Sequence, residues 1–226
     1  MTAVEAPPRP RARPAAVGTP YELLSPAERY IHETRDRALL ALLQRHGCGS
    51  LAGLRILEIG CGEGSLLRTL IHHGAEPHLL DGIDVDARKV ARARRSLRDA
   101  RLAVADGALL PYAGGALDVA FAFTTFSSML DAGVRRRAAR EAVRVLRAGG
   151  LLVVYDFWAN PLNSRVRPVR AAELRALFAP RRVEIERVTL APPIVRALGG
   201  RPALCRPLER LPFLRTHLLA AVVKES

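Results

Sequence analysis

Cysteine, lysine and aromatic residues are scarce in this chain, and each scarcity excludes something. The three cysteines, Cys48, Cys61 and Cys205, are widely spaced and form no CxxC pair. That argues against a zinc site or a disulfide framework and suits a reducing compartment. No apolar run is long enough to cross a bilayer. The first twenty residues, with "APPRPRARPAAVGTP", lack the apolar core of a signal peptide. They are expected to form a disordered tail over residues 1–20 of a cytoplasmic protein. Lysine occurs only at Lys89 and Lys224, so the net charge of +13 comes from arginine. A nucleic-acid or membrane-surface partner would explain such a charge. The arginines, however, are spread over every helix, as in "RARR" (Arg92–Arg95) and "RRR" (Arg135–Arg137). With aromatics at 5%, no basic run is interleaved with rings that could stack bases. Solvated helix faces are therefore the preferred explanation, and nucleic acid is not expected as a partner.

What is present is a β–α alternation. "SPAERYIHETRDRALLALLQRH" reads as a helix, with Ser25 and Glu28 spaced as a capping box and Gly47 and Gly49 as stops. Buried strands follow at "LRILEI", "HLLDGID", "RLAVAD", "LDVAFAF" and "LLVVYDF". Between them lie the helices "GSLLRTLIHH", "DARKVARARRSLRDA" and "GVRRRAAREAVRVLRA", the last ended by Gly149-Gly150. The helix "AAELRALF" and the strands "RRVEIERVTL" and "THLLAAVVK" complete the pattern. Near-continuous apolar strands joined by helices predict a doubly wound α/β sheet with helices on both faces. Residues 21–226 read as one domain, with a helical cap over 21–50. Residues 191–215, broken by prolines and glycines, read as a cap or lid inserted between the last two strands.

The chemistry is concentrated in "LEIGCGEG". Gly60, Gly62 and Gly64 follow a strand that ends in Glu58, and a helix starts at once. Glycines let backbone N–H groups approach a ligand without a Cβ in the way. In a dinucleotide fingerprint the third glycine would come one position later. Glu58 would also repel a pyrophosphate, whereas it would attract a cation. Asp84 ends the second strand, where an acid can take both hydroxyls of a ribose. Asp106 ends the third, where it can accept from an exocyclic amine. Three acids at successive strand ends predict a ligand with a ribose, a donor-bearing base and positive charge.

This pattern resembles the class I S-adenosylmethionine-dependent methyltransferases from about Leu54 to Lys224. "LEIGCGEG", "GIDVD", "VADGALLPY" and "VLRAGGLLVV" are similar to successive motifs of that family. The resemblance implies a Rossmann-like seven-stranded sheet with an antiparallel last strand and S-adenosyl-L-methionine as cofactor. It implies that Gly60, Cys61, Gly62 and Gly64 pass the methionine moiety. It places Asp84 on the ribose, Val85 on the adenine face, and Asp106 and Gly107 on the adenine edge. Phe123 and Thr124 would line the methyl-transfer mouth. "YDFWANPLN", "VTLAPPIVRAL" and "LPFLRTHLL" are similar to segments of a bacterial methyltransferase subgroup. Some family members with this layout modify sugars of surface glycans or natural products.

Methyl transfer is an in-line displacement with a neutral leaving group, so alignment and water exclusion matter and no metal is needed. A hydroxyl acceptor needs a base within hydrogen-bond reach. Asp156, at the end of the fifth strand, is the first candidate, with a structural cap as its other role. His32 on the N-terminal helix is the second. Tyr30, Tyr155, Trp158 and Asn160 are candidates for the acceptor side. O-methylation of a small molecule or glycan hydroxyl is the expected function. C-methylation of a quinone-like or polyketide acceptor is the alternative. A nucleic-acid methyltransferase fits less well, because "FAFTTFSSML" lacks the Asn/Asp-Pro-Pro-Tyr/Phe motif of DNA amino-group methylases. A cofactor-binding protein without catalysis is the non-enzyme alternative.

Overall fold

The computed structural model describes residues 25–159 and 166–225. Seven strands form one sheet: β1 (Ile56–Ile59), β2 (Leu80–Asp84), β3 (Arg101–Val104), β4 (Leu117–Phe123), β5 (Leu146–Phe157), β6 (Val183–Leu190) and β7 (Arg215–Val223). Their order is β3-β2-β1-β4-β5-β7-β6. β7 runs antiparallel to both neighbours, and the other pairs are parallel. The expected doubly wound sheet with an antiparallel last strand is therefore present. Strand order reverses between β1 and β4, and the residues after both strands face one crevice, where open α/β sheets bind ligands.

Strand alternation sends successive side chains to opposite faces. Phe121, Phe123, Leu151 and Val153 pack with α1 (Pro26–Arg45), α2 (Ser65–His72) and α3 (Ala87–Ser96). Ala120, Ala122, Leu152 and Val154 pack with α4 (Ala132–Arg144) and α5 (Ala171–Phe178). Both faces are thus covered, which explains why the strands read as unbroken apolar runs.

Local chemistry sets the helix starts beside the crevice. Asp86 accepts from Arg88 N and Lys89 N at the head of α3, and Asp131 accepts from Val134 N at the head of α4. The capping box expected on α1 does not form. Ser25 makes no side-chain cap. Glu28 instead accepts from Arg196 Nε at 2.8 Å, because the insert packs against this end of the helix. α4 also ends earlier than the glycine pair suggests. Its last residue is Arg144, and Leu146 already pairs with Leu117.

The 191–215 insert contains α6 (Pro192–Ala197) and α7 (Pro202–Glu209). Ala27 and Tyr30 of α1 form a small apolar core with Leu190, Val195 and Cys205. Gly200 lies so close to the backbone of Pro26 and Ala27 that a Cβ there would overlap it. The insert is therefore fastened to α1. The "RRR" run is not wholly solvated either. Arg136 and Arg137 are exposed, but Arg135 is fully buried. Its guanidinium donates to Met129 O and to Glu173 Oε1 at 2.6 Å, tying the loop after β4 to α4 and α5. A buried charge is tolerated when its donors are satisfied in this way.

Candidate functional site

A cavity of about 600 Å³ opens at the carboxyl ends of β1, β2, β3, β4 and β5. The turn after β1 forms its floor. Gly60, Gly62 and Gly64 all have positive φ, a conformation that side-chain-bearing residues rarely adopt. At Gly60 a Cβ would lie 2.7 Å from Thr125 Oγ1. That hydroxyl in turn donates to Ile59 O, so the turns after β1 and β4 are pressed together. Gly62 has open space where its Cβ would be and lines the cavity. Gly64 does not line it. A Cβ there would collide with Leu97 Cδ1, so the packing of α2 against the end of α3 requires this glycine.

The acids are arranged by the strand ends. Glu58 is 3% exposed and lines the cavity, and its Oε2 has no hydrogen-bond partner. Burial pushes its carboxyl well above the usual range, while the Arg35 charge pulls the other way. Asp84 accepts from Gly62 N at 2.9 Å through one oxygen and from Asp86 N at 2.8 Å through the other. It therefore shapes the glycine turn and still has lone pairs for a ligand. Val85 beside it is 70% exposed, a flat apolar surface at the rim. Asp106 accepts from Ala108 N and lines the cavity with Gly107.

The opposite wall is aromatic. Phe123 lies 5.1 Å from Tyr155 between ring centroids, and Tyr155 stacks on His217 at 4.7 Å. The Tyr155 hydroxyl is hydrogen-bonded to Thr189 Oγ1, which fixes the ring. Thr124 has φ of +53° and donates its N–H to Tyr155 O, so the chain bends sharply over the cavity after β4. Burial, with Arg35 nearby, pushes the His217 imidazole down to about 3, so it packs as a neutral ring.

Several sequence candidates fall outside this cavity. Asp156 is fully buried and does not line it. Its oxygens accept from Ser127 N and Phe157 N, both at 2.9 Å, so it holds the loop after β4 from beneath. Burial raises its carboxyl to about 6, against the pull of those donors. The arrangement gives this acid the geometry of a cap on that loop, the other role expected for it, and sets it behind the cavity wall. His32 is half-buried on α1 but not in the lining, and burial lowers its affinity for a proton. Tyr30 is buried against the insert. Trp158 donates to Arg215 O at 2.6 Å and lies under the Arg187 guanidinium, also away from the cavity. Asn160, like the tail over 1–20, lies outside the described residues.

Arg35 is a lining residue that sequence reasoning missed. It reaches in from the middle of α1, 6.0 Å from the Phe123 ring centroid, and pairs with Asp36. Its place three residues after His32 on a helix expected to fold over the cofactor was the available signal. Thr125, Ser128 and Met129, from the loop that Arg135 and Asp156 hold, are further lining residues that were missed.

The residues fit the cofactor that the pattern implies. The partnerless buried oxygen of Glu58 suits an ammonium, and Arg35 on the same side suits a carboxylate. Together they match a zwitterionic amino-acid moiety. Asp84, Val85 and Asp106 supply an acceptor, an apolar surface and a second acceptor, the needs of a nucleoside.

Comparison with known proteins agrees. Residues 56–150 match the family model described as "Methyltransferase domain". The 27-O-demethylrifamycin SV methyltransferase of Amycolatopsis mediterranei is 35% identical over 116 residues, 49% of this chain and 41% of that protein. The 2-methyl-6-phytyl-1,4-hydroquinone methyltransferase of Synechocystis sp. is 32% identical over 139 residues, 57% of this chain and 42% of that protein. The matches thus span about two fifths of those relatives' lengths. The S-adenosylmethionine-dependent methyltransferase of Mesorhizobium loti has the same fold, with a TM-score of 0.60, 22% identity, and coverage of 83% of this chain and 98% of that one. Residues 56–150 are thus similar to methyltransferase domains, and the sheet that carries them has the fold of S-adenosylmethionine-dependent methyltransferases.

Proposed function

We propose that this chain transfers a methyl group from S-adenosyl-L-methionine to the oxygen of an acidic hydroxyl on a small organic acceptor. The observation that carries the reading is the buried Glu58 carboxylate with one partnerless oxygen, set beside Arg35 and above the glycine turn. Bound cofactor supplies an electrophilic methyl group on a sulfonium. Glu58 and Arg35 hold the two ends of its amino acid, Asp84 the ribose, and Val85, Asp106 and Gly107 the base. Phe123, Thr124 and Tyr155 wall the mouth and keep water out of it.

What surrounds that wall supports an acidic acceptor. Among the described residues, no histidine lines the cavity. Its carboxylates, Glu58, Glu63, Asp84 and Asp106, stand at the ends of β1, β2 and β3 or in the glycine turn, on the cofactor side, and Asp156 is enclosed behind the loop. Tyr155 is itself pushed further from ionisation by burial. An acceptor that ionises readily, such as a phenol, hydroquinone or enol, needs little help from a protein base. One relative is named for a hydroquinone acceptor, which supports this class.

The test is calorimetry followed by turnover. S-adenosylmethionine and its demethylated product should both bind, and NAD should not. Asp84→Asn should weaken both by about 10–150-fold, since it removes a charge-assisted acceptor of about 1.5–3 kcal/mol. Turnover should favour phenolic over aliphatic hydroxyls, and NMR of the product should show an O-methyl group. Binding without transfer to any phenolic or enolic acceptor, or a C-methyl product, would overturn the assignment.

A further inference from the structure

The insert carries a surface that the cavity does not explain. Leu204, Leu211 and Phe213 are 46%, 39% and 65% exposed within ten residues. In α7 the buried side is set by Cys205 and the half-buried Leu208, which pack on Tyr30 and Val195. Leu204 and Pro207 on α7, and Leu211 just beyond its end, are all exposed. Phe213 is exposed in the short turn before β7.

The same stretch is basic. Arg201, Arg206 and Arg210 are exposed, and the only acid among residues 201–213 is the half-buried Glu209. Arginines interspersed with outward apolar side chains give a surface that is complementary both to anionic headgroups and to the acyl boundary beneath them. Isolated apolar residues on a surface need no explanation, but a cluster rimmed by one sign of charge marks an interaction site.

Its position adds a reason. β7 starts two residues after Phe213, and its His217 pairs with Phe157 at the end of β5, two residues from the cavity-lining Tyr155. The patch therefore lies at the same sheet edge as the cavity mouth. We propose that residues 201–213 form a docking surface for an anionic lipid bilayer. Phe213, Leu211 and Leu204 enter the interface, and the three arginines meet the phosphates. This docking does not depend on the acceptor reading, because it is measured without cofactor or turnover.

The experiment is cosedimentation of the full chain with phosphatidylcholine vesicles and with vesicles rich in phosphatidylglycerol, at low and high salt. Binding is expected only to the anionic vesicles and should weaken with salt. R201Q/R206Q/R210Q should lower the partition coefficient by about a hundredfold or more. L204S/L211S/F213S should abolish binding. These side chains are exposed, so both variants should melt as the wild type does. The chain's overall charge of +13 demands a control. R88Q/R95Q/R98Q removes the same charge from the α3 region and should bind as well as wild type. Equal loss in that control would overturn the proposal, and so would an absence of binding to anionic vesicles. Light scattering that shows a dimer broken by L204S/L211S/F213S would also overturn it, in favour of a second copy on this face.

Discussion

Replacing Glu58 by glutamine keeps the shape of the side chain and removes its charge. In the proposed site the carboxylate meets the cofactor's ammonium in a dry position. A hydrogen bond to a charged group contributes about 1.5–3 kcal/mol, which at about 1.4 kcal/mol per tenfold is a 10–150-fold loss of affinity. The ligand-free protein should respond in the opposite direction. Glu58 is buried with an unpartnered oxygen, so its charge opposes folding. Recovering about 1 kcal/mol would raise the melting temperature by about 2–4 °C.

The pH dependence also has a definite sign. Burial raises the folded-state pKa of Glu58 above its ordinary value. Between the ordinary and the raised value the folded state holds the proton more tightly. Stability of the free protein therefore falls as pH climbs through that window. Cofactor affinity rises over the same window, since the ammonium needs the ionised acid. Calorimetry with the demethylated product, which keeps the ammonium but lacks the sulfonium charge, isolates this contact. Wild-type affinity and an unchanged pH slope in Glu58→Gln would refute the reasoning.

Gly64→Ala should lower the melting temperature by the equivalent of about 1–3 kcal/mol, because the new Cβ meets Leu97 Cδ1. Cofactor affinity of the folded variant should stay within a few-fold, and Leu97→Ala should restore part of the loss. Asp156→Asn should keep turnover within about threefold, far from the ~10²–10⁴-fold loss of a missing base. Since burial holds this acid near 6, its ionisation opposes folding as pH climbs from about 4 through 6. Thermal melts of the asparagine variant across that range should lack the slope.

The cofactor side of the site was legible because its determinants are local. A strand end, a glycine turn and an acid in register are each written within a few residues, as "LEIGCG" and "GID" show. The sheet was legible for the same reason, since apolar runs and turns alternate regularly. The acceptor side depends on contacts between distant segments. Nothing near Asp156 in sequence reveals that Ser127 folds over it and closes it off. Nothing in "HETRDR" says which of its charged residues turns inward, because that is set by how α1 crosses Phe123. Gly64 shows that one sequence signal, a glycine after a strand, serves helix packing as well as ligand approach. Arg135 was misread because a run of like residues conceals that one position in three faces inward.

The seam between α1 and the insert bears on inheritance. Gly200 rests on the Pro26 backbone, and Arg196 reaches Glu28, across more than 160 residues of sequence. The same α1 places Arg35 in the cavity. Two stretches that recombination would readily separate are thus physically one part. A chimera with α1 from one parent and the insert from another would put unmatched surfaces face to face, whereas the central glycine turn could be exchanged alone. Descendants that change acceptor by recombination should therefore carry both stretches from the same ancestor, as a linked pair.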